Sequence, residues 1–143
     1  MAQVGLLEDN PRIAKLCATM LDYAGYRVTV YRHPQECLHA LLPGWAASDD
    51  GQTFPESIKI VSLPIEVLIL DLHLPDIDGL EVLRRLQSHP HTRSLPLIFC
   101  TAATAAEVTR AFKVAPHATL VEKPFKVGTL ISAIAAALRP VAK

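Results

Sequence analysis

Cysteine is scarce in this chain: 143 residues contain only Cys17, Cys37 and Cys100, each alone inside an apolar pattern. An odd, scattered set is no disulfide framework. It reads as reduced core thiols and implies a cytoplasmic location. A surplus of charge is missing too, because 14 Lys and Arg balance 14 Asp and Glu. Bulk attraction to nucleic acid or anionic membrane is therefore not expected, although balance alone leaves room for a local basic patch. No apolar run approaches the roughly 20 residues needed to cross a bilayer. The opening residues lack a basic stretch and turn acidic at Glu8 and Asp9, unlike a signal peptide.

What is present is globular. Half the residues are apolar and a fifth are charged, a balance that can bury a core in a single domain spanning 1–143. Short apolar runs alternate with helical periods. Positions 3–7 form a brief apolar segment, and Asn10-Pro11 then supplies a helix cap followed by proline at the first helical position. Ile13, Leu16, Cys17, Met20, Leu21 and Ala24 recur at helical spacing before Gly25. Strands are predicted at 27–31, 65–71, 96–100 and 118–122, and helices from Pro34, over 80–88, over 104–115 and over 127–138.

Between positions 43 and 64 this alternation fails. Gly44, Ser48, Asp49-Asp50-Gly51 and Pro55 are turn chemistry, so the segment reads as a long insertion between the second helix and third strand. A short strand at 58–63 is conceivable there, with Trp45 packing an edge of the insertion. Five strands alternating with five helices imply a parallel sheet covered on both faces. The apolar runs LILDL and LIFC agree with strands buried on both sides. The expected class is α/β, a flavodoxin-like doubly wound sheet of order 2-1-3-4-5.

Ligands of such sheets bind beyond the carboxyl ends of the strands. Glu8-Asp9, Asp71, Thr101 and Lys123 stand at the ends of strands one, three, four and five. Three acids, a hydroxyl and an ammonium should thus converge in one crevice. Carboxylates brought together repel unless one is protonated or a cation joins them. Oxygen ligands of this kind suit Mg²⁺, which often partners phosphate. Asp71 could then serve as a carboxylate nucleophile that forms an aspartyl phosphate.

Glu8-Asp9, Asp71 with Pro75 and Gly79 following, Thr101-Ala102 and Lys123-Pro124-Phe125 resemble the receiver domain of two-component response regulators, including the chemotaxis regulators. The resemblance covers nearly all of the chain outside the insertion. It implies phosphoryl transfer to Asp71 from the phosphohistidine of a sensor histidine kinase or histidine phosphotransfer protein. Glu8, Asp9, Asp71 and the main-chain carbonyl of His73 would hold Mg²⁺, with Mn²⁺ as the alternative ion. Thr101 would be the switch hydroxyl, Ala102 a small residue leaving the acyl phosphate accessible, and Lys123 the phosphoryl-binding cation. Pro75 and Gly79 would shape the loop after the strand, and Pro124 would follow Lys123 through a cis peptide bond. Such a protein catalyses its own phosphorylation and dephosphorylation but serves signalling rather than metabolism.

The chain departs from the family at Leu120, where an aromatic residue usually couples to the switch threonine. The alternative reading is a degenerate receiver, a phosphorylation-independent binding or dimerisation module. A flavodoxin-like small-molecule enzyme is disfavoured because no glycine loop follows strand one. His89-Pro90-His91 read as solvated loop residues, and Asp76 and Asp78 as turn or helix-cap residues. Arg110, Lys113 and Lys126 mark either a basic partner face or a solvated one. Met1 suggests a natural start, while the end at Lys143 fits either a stand-alone regulator or the first piece of a longer chain.

Overall fold

Strand β1 (Gln3–Leu7) is an interior strand of a five-stranded parallel sheet, with β2 (Arg27–Tyr31) on one side and β3 (Val67–Leu70) on the other. Beyond β3 come β4 (Leu97–Thr101) and β5 (Thr119–Glu122), giving the order β2-β1-β3-β4-β5. The structure is a computed structural model and describes residues 2–42, 63–72, 79–101, 104–123 and 126–138. The expected strand at 58–63, apart from Leu63, lies outside the described residues, as do Trp45, Asp76 and Asp78.

Side chains on a strand alternate between faces, so the sheet divides its apolar residues into two cores. Leu68, Leu70 and Phe99 point to the face covered by α2 (Pro34–Leu41), α3 (Gly79–Gln87) and α5 (Ala105–Val114). There they meet Leu38, Leu41, Leu83, Leu86 and Ala111, and Phe99 stacks edge-on against Phe112 with ring centres 5.3 Å apart. Val67, Ile69, Ile98 and Cys100 point the other way, onto α1 (Pro11–Tyr23) and α6 (Val127–Leu138). Ala14, Cys17, Leu21, Leu130 and Ile134 close that side. All four residues of β3 are buried, as befits a central strand sandwiched between helical layers.

Several boundaries moved by a residue or two. The helix expected over 80–88 begins at Gly79, and the strand expected over 96–100 runs on to include Thr101. Thr104, expected inside the helix over 104–115, is the cap of α5 instead. Its hydroxyl accepts from the Glu107 amide while Glu107 reaches back to the Thr104 amide. Leu16, assigned to the inward stripe of α1, is 58% exposed, because the sheet covers only the line through Ala14, Cys17 and Leu21. His89-Pro90-His91 is not plain loop. Pro90–Arg93 forms one helical turn, α4, anchored by the buried Thr92 hydroxyl donating to the Leu86 carbonyl. A proline at its first position and the short length hid this turn from helical periodicity.

Gly79 is required by a close approach. A Cβ built there would lie 2.7 Å from Leu72 Cα, 2.8 Å from the Leu72 carbonyl oxygen and 3.0 Å from that of Asp71. All three are backbone atoms and cannot swing aside. Gly79→Ala should therefore cost about 1–3 kcal/mol of stability, as over-packing does. Urea denaturation would measure it, and an unchanged midpoint would mean that the 71–79 connection yields freely.

Candidate functional site

Parallel strands share one carboxyl edge, and four of the five bring a residue of the candidate site to it. The β1 chain passes directly into Glu8 and Asp9, and β3 into Asp71. The pairing of Leu7 with Leu70 puts these acids side by side, and the Asp71 amide donates to the Leu7 carbonyl at 3.2 Å. Thr101 is the last residue of β4, and Lys123 follows β5, its amide donating to the Thr101 carbonyl at 3.1 Å. The ladder thus aligns all four functional strand ends before any side chain makes contact.

The side chains then close on one another. Lys123 Nζ donates to Glu8 Oε1 at 2.7 Å and to Asp71 Oδ2 at 2.9 Å. Thr101 Oγ1 donates to Asp71 Oδ1 at 2.9 Å, so both carboxylate oxygens of Asp71 accept a hydrogen bond. Glu8, Asp71 and Thr101 are buried, whereas Asp9 stands at the solvent side. One carboxylate oxygen from each of Glu8, Asp9 and Asp71 lies within 4.8 Å of the others.

Burial pushes the Glu8 carboxyl above its ordinary value of 4.5. The hydrogen bond and charge of Lys123 and the Asn10 amide oppose that rise without cancelling it, and the Asp71 charge adds to it. For Lys123 burial works downward, but the hydrogen bonds and charges of Glu8 and Asp71 outweigh it and hold the ammonium above 10.5. The site is thus a half-buried cation shared by two buried acids, with a third acid at the mouth.

These donors fit a divalent ion. Neighbouring oxygens of an octahedral Mg²⁺ stand about 3 Å apart and opposite ones about 4 Å, so the three oxygens, within 4.8 Å of one another, would draw together on binding it. All three are hard carboxylate ligands, and the exposed Asp9 leaves the mouth open to the waters that Mg²⁺ retains.

His73, Pro75, Ala102 and Pro124 lie outside the described residues. Gly79 packs against the backbone just after Asp71, as its missing Cβ requires. Leu120 is half-buried on β5 and packs on the Phe99 core. Arg110, Lys113 and Lys126 are exposed. Sequence reasoning overlooked one contact: the Asn10 main-chain amide donates to Glu8 Oε2 at 3.3 Å. A capping residue immediately after an acidic pair is the available signal, but by itself it marks only a helix start.

A family model described as the response regulator receiver domain matches residues 4–135, and the chain belongs to that family. It is accordingly a receiver domain of two-component signalling, whose members partner with histidine kinases. Its pocket of Glu8, Asp9 and Asp71 is an acidic set of the kind that serves a phosphoacceptor and its Mg²⁺. Among curated relatives, the uncharacterised transcriptional regulatory protein YkoG of Bacillus subtilis is 30% identical over 94% of this chain and 50% of its own length. The transcriptional regulatory protein TrcR of Mycobacterium tuberculosis is 28% identical over 96% of this chain and 45% of its own. The chain spans about half the length of the curated relatives it matches. A response regulator of Chloroflexus aurantiacus shares the fold with a TM-score of 0.76 and 22% identity, over 96% of this chain and 97% of that one. The chemotaxis protein CheY4 of Vibrio cholerae does so with a TM-score of 0.73 and 22% identity, over 96% and 99%. Among the described residues no helix is long and apolar enough to cross a membrane.

Two expectations follow. Lys123→Met leaves buried carboxylates without their cation and should cost about 1–3 kcal/mol in metal-free denaturation; an unchanged stability would show that the pair is not closed in solution. The second concerns pH. Because the folded pKa of Glu8 is raised, its contribution to stability is full below 4.5 and is lost as pH rises through the folded value. Wild type should therefore lose stability relative to Glu8→Gln as pH rises above 4.5 in the presence of EDTA. A difference that moves the opposite way with pH would contradict the raised value. For Lys123 the same sign holds higher up, its contribution being lost as pH rises above 10.5.

Proposed function

We propose that this chain is a phosphoacceptor receiver, one unit over 1–143 with 43–64 as an insertion, in which Mg²⁺-dependent transfer to Asp71 switches partner interactions. One observation carries the reading: the Asp71 carboxylate is held by the Lys123 ammonium on one oxygen and the Thr101 hydroxyl on the other, beside Glu8 and Asp9. Donors that fix a carboxylate in this way are also placed to receive the charge of a phosphoryl group attached to it.

The donor is the phosphohistidine of a sensor histidine kinase or histidine phosphotransfer protein. An Asp71 carboxylate oxygen attacks phosphorus, forming the O–P bond as the P–N bond breaks. The electron pair of the P–N bond leaves on the imidazole, which takes a proton from water and departs neutral. Lys123 exchanges part of its contact with Glu8 and Asp71 for a phosphoryl oxygen, and Thr101 donates its hydroxyl to another. Bound by Glu8, Asp9, Asp71 and the His73 carbonyl, Mg²⁺ (or Mn²⁺) would neutralise the charge that the acids and the phosphoryl group bring together. Ala102 leaves room for the donor. Slow attack by water on phosphorus returns the electron pair of the O–P bond to the Asp71 carboxylate and resets the site.

With Leu120 packed into the core, the switch runs through Thr101 and the turn into α5 rather than through an aromatic on β5. The same leucine favours the second reading, a phosphorylation-independent binding or dimerisation module. Incubation with acetyl phosphate separates the two. A mass gain of about 80 Da, one phosphoryl group, is expected with Mg²⁺ and is lost in EDTA or in Asp71→Asn. Absence of the adduct at early times and with several phosphohistidine donors would put the binding module first.

A further inference from the structure

Asn10 makes two kinds of contact from one position. Its side-chain Oδ1 accepts from the amides of Arg12 at 3.0 Å and Ile13 at 3.3 Å, which caps α1. Its own amide donates backwards to Glu8 Oε2 at 3.3 Å. The two are geometrically linked. Capping holds Asn10 in an extended conformation, φ −80° and ψ 113°, at the junction between the acidic pair and the helix. A residue freed from the cap could rotate about its backbone and turn its amide away from Glu8.

The Glu8 carboxylate is thereby held at both oxygens, Oε1 by Lys123 and Oε2 by Asn10. Its main chain is held as well, because the Glu8 amide donates to the Tyr31 carbonyl at 3.1 Å. Outer-shell donors that orient a metal-binding side chain commonly change metal affinity by an order of magnitude or more. We infer that Asn10 is a positioning residue for the acidic pair: by capping α1 it aims its own amide at Glu8 and so sets how well the pocket takes a divalent ion. This rests on the reading of the pocket as a Mg²⁺ site and adds a residue to it that never touches the ion.

Titration calorimetry with MgCl₂ tests it on four proteins: wild type, Asn10→Ala, Asn10→Ser and Gly25→Ala. Asn10→Ala removes the cap and should weaken Mg²⁺ binding about tenfold. Serine caps helices nearly as well as asparagine, so Asn10→Ser should restore affinity to within about twofold. Gly25, at φ 95°, lies just past the other end of α1. Gly25→Ala should lower the melting temperature as a lost cap does, yet leave Mg²⁺ affinity alone. Equal weakening by Asn10→Ala and Gly25→Ala would reduce the effect to general loosening of α1 and overturn the inference. So would normal affinity in Asn10→Ala, or failure of serine to rescue. A wild type that takes up no Mg²⁺ would instead overturn the metal-site reading together with the role given to Asn10.

Discussion

The ammonium of Lys123 lies between Glu8 and Asp71, and the carboxyl edge of the sheet is organised around that one shared charge. Two acids that are nearly out of contact with water would repel each other and strain the ends of β1 and β3. A cation reaching both from the end of β5 turns that repulsion into a bridge across the sheet. Burial raises the worth of each contact, since the medium around the three groups screens poorly. It also makes the arrangement intolerant of losing any one member. The site is therefore tightly tied before any ligand arrives, and an incoming phosphoryl group or cation rearranges existing contacts rather than ordering loose ones.

That bridge depends on the register of the sheet. Leu7 pairs with Leu70 and Thr101 with Glu122, so the residues following each strand arrive at nearly the same height. A slip of one residue in β3 would turn Asp71 toward the opposite face and present Leu72 or Leu70 instead. The apolar residues prevent such a slip. Leu68 and Leu70 belong to one core and Val67 and Ile69 to the other, and both cores are filled. Packing on the two faces thus fixes the position of a carboxylate that takes no part in packing.

The same logic explains how local elements feed the site. Asn10 starts α1 immediately after the acids, and Thr104 with Glu107 starts α5 three residues after Thr101. Each cap satisfies helix amides and at the same time fixes the direction in which the chain leaves the crevice. Gly79 does so for α3, which begins pressed against the Asp71–Leu72 backbone because no side chain separates them. On β5, the half-buried Leu120 packs against the Phe99 core, so this edge of the protein contributes apolar packing.

Much of this was legible in the sequence because it is local or periodic. Runs such as VLILD and LIFCT carry their own evidence for buried strands, alternation of strand and helix implies the parallel sheet, and the polar residue at each strand end is a matter of position. Asn10-Pro11 and Gly25 mark the limits of α1 by their backbone chemistry. Other features are contacts between distant positions, which no local pattern encodes. The exposure of Leu16 depended on how wide a strip of α1 the sheet covers, and the turn at Pro90–Arg93 on a hydroxyl reaching back to Leu86. That Lys123 divides itself between Glu8 and Asp71, and that the Asn10 amide turns back to Glu8, were settled only when four strand ends came within a few ångströms. The sequence by itself determined which groups stand at the carboxyl edge, since strand periodicity and turn chemistry are properties of neighbouring residues. Tertiary structure alone decided which of those groups share a proton donor or a charge, because hydrogen bonds and ion pairs depend on distances that only the packed sheet sets.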